Sequence, residues 1–121
     1  MKLPYESQLL RVFIDETDHY HGKPLYHAIV ETAREMGMAG ATVLHGIMGF
    51  GSHSRMHTAN ILRLSEGLPV GIEIVDKPER IDAFLPVLDG MVNEGLVTLE
   101  NVKVIAYRHG ESNAQTGQTG T

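Results

Sequence analysis

Twice along this chain, a run that alternates every second residue gives way to a run that repeats every third or fourth. The first alternation covers residues 8–15, with Leu10, Val12 and Ile14 on one side and Leu9, Arg11 and Phe13 on the other. The second covers 70–75, where Val70, Ile72 and Ile74 oppose Gly71, Glu73 and Val75. Period two with β-branched residues is the pattern of a strand. A helical stripe of Leu25, Ile29, Ala33 and Met36 follows the first, entered at Pro24 and stopped at Gly37, with His27, Glu31, Arg34 and Glu35 outward. After the second strand, Asp76-Lys77-Pro78-Glu79 reads as a helix start in which Asp76 caps and Glu79 reaches back. Ile81, Phe84, Leu85, Leu88 and Val92 form that helix's apolar stripe. Pro86 predicts a kink or break near Asp82, and Gly95 predicts the end.

Two further strands complete the pattern. Residues 41–50 read as a buried strand ending in Gly49-Phe50-Gly51, and residues 102–107 as the last strand. The polar-to-mixed connection 52–68 is long for a compact domain, which marks it as a functional segment. Its Ile61, Leu62 and Leu64 are expected to rejoin the sheet or pack on it. Residues 1–7 read as a loose lead-in, and 109–121, rich in Gly, Thr and Gln, as a disordered tail. One α+β domain over 8–108 is therefore expected: a ferredoxin-like βαββαβ sandwich, an antiparallel sheet with two helices on one face. Its other face, with Leu9, Phe13 and Ile105 as candidates, then calls for a second subunit.

Composition narrows the function classes. The 121 residues suit a single core, and the apolar share of 42% argues against disorder. With no cysteine there are no disulfides, thiolate nucleophiles or sulfur metal sites, which fits a cytoplasmic protein. A formal charge of −5 without any Lys/Arg block speaks against nucleic acid as partner. No apolar run reaches the roughly 18–20 residues of a membrane helix, so direct insertion is not expected.

Seven histidines invite a metal or pH-switch reading. His19 and His21 precede the first helix beside Lys23, and a helix start attracts anions, so a phosphate or carboxylate can sit at Lys23–Tyr26. The alternative there is a solvated turn. His53 and His57 are four apart but in the long connection, and His45 lies on a strand, as a hydrogen-bonded core histidine does. No compact metalloenzyme spacing and no Gly-x-Ser-x-Gly elbow occurs, so no catalytic or metal residue is assigned. Gly49-Phe50-Gly51 stands apart: glycines around an aromatic permit a sharp turn and close approach of a ligand to backbone N–H groups. The plainer alternative is a strand end with a buried Phe.

Several motifs fall in an order that resembles a known family. Thr42-Val43, Gly49-Phe50-Gly51, a long loop, Leu68-Pro69, Ile72-Glu73-Ile74-Val75 and the run from Val104 to Glu111 look like the PII nitrogen-regulatory signal-transduction proteins. Gly22-Lys23-Pro24-Leu25-Tyr26, Ala39-Gly40-Ala41-Thr42-Val43 and Leu68-Pro69-Val70 resemble more closely a PII-like family, domain of unknown function 190. The likeness covers roughly residues 8–108. It implies a homotrimer, with adenine nucleotides as effectors in clefts between subunits. It further implies a regulated protein partner, a membrane transporter or channel, met through the 52–68 loop with its His53, Arg55 and His57. Thr42, Gly49, Phe50 and Gly51 match the cleft wall, and Arg108 matches the second of two phosphate-contacting arginines.

Departures from the PII pattern shape the expected ligand. The segment from Thr42 to Gly49 is one residue longer, and Asn93–Leu99 replaces the glycine-rich phosphate loop and its lysine. Ala106 stands where the first arginine would be. Two lost cations remove charge-assisted bonds of about 1.5–3 kcal/mol each, which favours a less charged ligand such as a nucleoside monophosphate over ATP. No tyrosine in 52–68 matches the uridylylated one, so that modification is not expected. Two alternatives remain: a divalent-metal-binding trimer of the cation-tolerance type using His53, His57 or His19, and a small enzyme with His45 or His57 as general base.

Overall fold

The alternation near the N-terminus becomes β1, Glu6–Asp15, in a computed structural model that describes residues 2–51, 56–58 and 67–110. The strand starts before residue 8 because Glu6 and Ser7 still pair, with Lys103 and Val102. Next comes a small hairpin that the polar sequence concealed, β2 His19–Tyr20 and β3 Lys23–Pro24. Its two turn residues, His21 and Gly22, have φ of 50° and 82°, the left-handed pair of a tight hairpin turn. Helix α1, Leu25–Glu35, buries Leu25, Ala28, Ile29 and Ala33, with Met36 half-buried just past its end.

Residues 41–50 depart most from expectation. They form β4, Thr42–His45, and then the two-residue β5, Met48–Gly49, paired with β6, His57–Thr58. The predicted buried strand is instead a short edge strand with Leu44 52% exposed, followed by a narrow ribbon. Residues 52–55 and 59–66 of the connection, with Ile61, Leu62 and Leu64, lie outside the described residues.

β7, Pro69–Asp76, alternates as predicted, with Val70, Ile72 and Ile74 buried. Helix α2, Pro78–Asp89, opens on Lys77 and has no side-chain cap, so the expected capping box does not form. Asp76 is turned elsewhere, as its partners below explain. The helix runs through Pro86 without a break. A proline this near the end sacrifices one bond, and the Asp82 carbonyl that loses its donor belongs to an exposed residue. Gly90, not Gly95, caps the C-terminus. Buried Met91 continues the apolar stripe, while Leu85 and Val92 are half-buried.

The last strand is β8, Leu96–Lys103, earlier than the predicted 102–107. It lies at an edge and is exposed almost throughout, so burial leaves no alternation to read. The sheet order β4-β7-β1-β8, antiparallel at every pair, is that of the ferredoxin-like sandwich. Leu10, Val12, Ile14, Val70, Ile72 and Ile74 make one core with Ile29, Ala33, Ile81, Phe84 and Leu88, so both helices cover the same face. On the other face Arg11 pairs with Glu73 at 3.1 Å and Glu100 at 2.9 Å. Phe13 there is 44% exposed, Leu44 and Leu96 are exposed, and Leu9 is half-buried. Ile105, beyond β8, is 84% exposed.

Phe84 is the largest fully buried side chain. Phe84→Ala should lower the unfolding free energy by about 3–5 kcal/mol, measured by urea denaturation, and a loss below about 1 kcal/mol would contradict this core.

Candidate functional site

Strand β4 organises the residues singled out above, and its two ends are built differently. At its start, the turn from α1 is gripped by side chains from elsewhere. The Ala39 N–H donates to Asp76 Oδ2 at 2.8 Å, and the Tyr107 hydroxyl donates to the Ala39 carbonyl at 2.7 Å. Arg80 Nη1 donates to the carbonyls of Met36 and Gly37. Asp76 is wholly buried, and its Oδ1 accepts the Lys77 N–H at 2.8 Å. This is why it caps nothing deeper in α2. Thr42 follows, exposed and opposite Glu73. Arg108, next to Tyr107 in sequence, is exposed.

The far end of β4 carries the other set. His45 is not a core histidine: Nε2 meets Glu16 Oε1 at 2.9 Å, and the Tyr26 ring stands edge-on at 5.9 Å. The pair is partly exposed because β4 is an edge. The Gly46 N–H donates to the Pro69 carbonyl at 2.8 Å, and a Cβ on Gly46 would lie 2.9 Å from Pro69 Cγ. Gly49 is close behind, at 3.2 Å from the same atom, so these glycines serve first to let the chain lie on Pro69. Gly51 has open space around it, and Phe50 is 65% exposed instead of buried. The returning chain is tied by the Glu16 N–H, which donates to the Leu68 carbonyl at 2.9 Å.

Thr42 and Arg108 thus belong to one end of β4, and Gly49, Phe50, Gly51 and Tyr26 to the other. The strand separates them by about 10 Å at roughly 3.3 Å per residue. Beside the far end, a cavity of about 320 Å³ opens on the uncovered sheet face between Phe13, Leu44, Met48 and Pro69.

Lys23, expected near an anion, gives its ammonium to Glu31 at 2.6 Å, and His27 meets the same carboxylate at 3.2 Å. The hydrogen bond raises the pKa of Lys23 and lowers that of Glu31, both at the surface. His19 Nδ1 lies 2.7 Å from the Thr17 carbonyl. Among the described residues no three His, Asp or Glu side chains converge as a metal-binding group. His53 and Arg55 lie outside the described residues, and of His57 only the backbone in β6 is described. Sequence reasoning passed over Glu16, Pro69 and Tyr107 as partners. The signal for Pro69 was its place before a strand; the other two had none beyond being polar groups beside apolar runs.

Residues 7–104 match the model of the family DUF190, described as Uncharacterized ACR, COG1993. A UPF0166 protein of Aquifex aeolicus is 41% identical over 100 residues, 83% of this chain and 94% of that one. One from Methanocaldococcus jannaschii is 35% identical over 82% of this chain and 92% of its own. Among solved structures, the PII-like protein CPII of Thiomonas intermedia K12, bound to ADP and bicarbonate, aligns with a TM-score of 0.55. It is 17% identical over 83% of this chain and 89% of CPII. The Bacillus subtilis GlnK–ATP complex aligns with a TM-score of 0.54 at 12% identity, over 97% of this chain and 94% of GlnK. This chain therefore belongs to the DUF190 family, and its fold is PII-like.

Proposed function

We propose that this chain is a PII-like regulator that assembles as a homotrimer and binds an adenine nucleotide as effector in the clefts between copies. The observation that carries the reading is the unfinished edge of the sheet. Thr42 and the Arg108 segment stand at one end of β4, and Gly49-Phe50-Gly51 stands at the other. Exposed Leu44 and the apolar face with Phe13 and Leu96 lie beside them. Covering what remains exposed of each such half-exposed side chain with a second copy contributes about 1 kcal/mol, and that copy would wall the groove along β4.

An extended nucleotide suits the length of this edge. Arg108 would meet phosphate, and the open backbone at Gly51 would meet the sugar or base. CPII bound to ADP, AMP and bicarbonate, and GlnK bound to ATP, give the ligand class its support by likeness of fold. With Ala106 in place of the first arginine and Lys23 engaged by Glu31, AMP or ADP is the better fit than ATP. Binding would change the order of the 52–68 loop, whose His53, Arg55 and His57 would meet a regulated protein partner. That partner is a membrane transporter or channel, approached from the cytoplasm. No described helix of the chain is long and apolar enough to cross a membrane.

Light scattering should give three times the chain mass, and calorimetry should detect heat with AMP or ADP at lower concentration than with ATP. A stable monomer that takes up none of the three would sink the reading. Gly51→Ala, where a Cβ has open space, should keep wild-type stability yet weaken nucleotide binding by about tenfold, equivalent to about 1.4 kcal/mol. Unchanged affinity would remove Gly51 from the site.

A further inference from the structure

Arg108 lies in a stretch that belongs to no strand or helix, yet a phosphate contact needs a guanidinium held in place. We infer that Tyr107 is its positioning residue, acting as a latch between the C-terminal segment and the start of β4; this rests on the proposed role of Arg108.

The segment leaves β8 at one edge of the sheet and is fastened at two points. The Val104 N–H donates to the Tyr5 carbonyl at 2.8 Å, and the Tyr107 hydroxyl donates to the Ala39 carbonyl at 2.7 Å. Ile105, Ala106, Arg108, His109 and Gly110 are all exposed, whereas Val104 and Tyr107 are half-buried. Passing from β8 over β1 to the end of β7 takes about 10 Å at 4.7–4.9 Å per strand. Four residues reach at most about 14 Å, so the chain from Lys103 to Tyr107 is long enough to cross that distance. The His109 ring stands edge-on to Tyr107 at 5.2 Å and braces it.

The receiving end is rigid. Ala39 presents its carbonyl to Tyr107 while its N–H is held by buried Asp76, and Arg80 holds the carbonyls of Met36 and Gly37. The latch therefore joins Arg108 to a peptide fixed from the core, three residues ahead of Thr42. Without the hydroxyl, the segment loses its tie to the start of β4, while the bond at Val104 lies four residues from Arg108. The arginine would then have to be ordered each time a phosphate binds.

Tyr107 acts only through Arg108, so its loss should penalise phosphate and spare the nucleoside. Tyr107→Phe should weaken ADP or AMP by about tenfold, leave adenosine unchanged, and have no further effect in an Arg108→Ala background. Without ligand, amide exchange over 105–110 should quicken while assembly mass stays at the wild-type value. Equal weakening of ADP and adenosine would mark a merely structural residue and overturn the assignment, as would additivity with Arg108→Ala. Wild-type protein that binds no adenine nucleotide would overturn the parent reading and this role with it. Unchanged exchange in Tyr107→Phe would refute the latch alone, leaving that reading intact.

Discussion

The register between β1 and β7 is the constraint on which the rest of the molecule depends. Leu10 faces Ile74, Val12 faces Ile72 and Ile14 faces Val70, so all six point to the helix side. A slip of one residue would turn one strand's three side chains to the opposite face. At about 1.5–3 kcal/mol for each buried aliphatic, that error would cost about 4.5–9 kcal/mol, comparable with the whole stability of many domains. Once the central pair is set, the outer strands can join only at its two sides, and both helices must cover the same face. The uncovered face with Phe13, and the bare edge at β4, are consequences of that arrangement.

How legible each element was in the sequence follows from how it is buried. β1 and β7 have one dry face, so their alternation is clear in the bare sequence. β8 is exposed along nearly its whole length, so Thr98, Glu100 and Asn101 blur the pattern and the apolar signal points to a strand too late in the chain. Residues 41–50 mislead in the opposite sense. Their apolar side chains suggest burial, yet Leu44, Ile47, Met48 and Phe50 are exposed within the single chain. Apolar content reports that a surface avoids water; it does not say which molecule covers it. The hairpin at 19–24 carries almost no apolar signal, and only the His21-Gly22 turn betrays it.

The candidate site was legible as residue types and not as connections. Gly49-Phe50-Gly51 and Thr42 stood out because small residues beside an aromatic are unusual at a strand end. That Gly46 and Gly49 lie against Pro69 depends on a partner some twenty positions away. Asp76 shows the limit most plainly. Local logic assigned it to cap the helix beginning beside it, whereas one oxygen reaches Ala39, 37 residues distant in sequence. Lys23 likewise reads as a free cation until the helix brings Glu31 to 2.6 Å.

A buried carboxylate is costly unless its charge is met, and Asp76 meets it cheaply. Two backbone N–H groups lie at 2.8 Å, and the residue stands just before α2, where the helix dipole favours negative charge. The same group that is stabilised by the end of the sheet therefore anchors the corner where α1 turns into β4. The far end of β4 is held by different means: glycines lying on Pro69, the backbone bond from Gly46 to Pro69, and the half-exposed pair of His45 and Glu16. Directional bonds to a buried charge resist displacement, while packing and an exposed ion pair yield more easily. One strand thus has a fixed end bearing Thr42 and a compliant end bearing the ribbon of β5 and β6. Strain placed along its edge would be relieved at the ribbon, because the Asp76 end has nowhere to move.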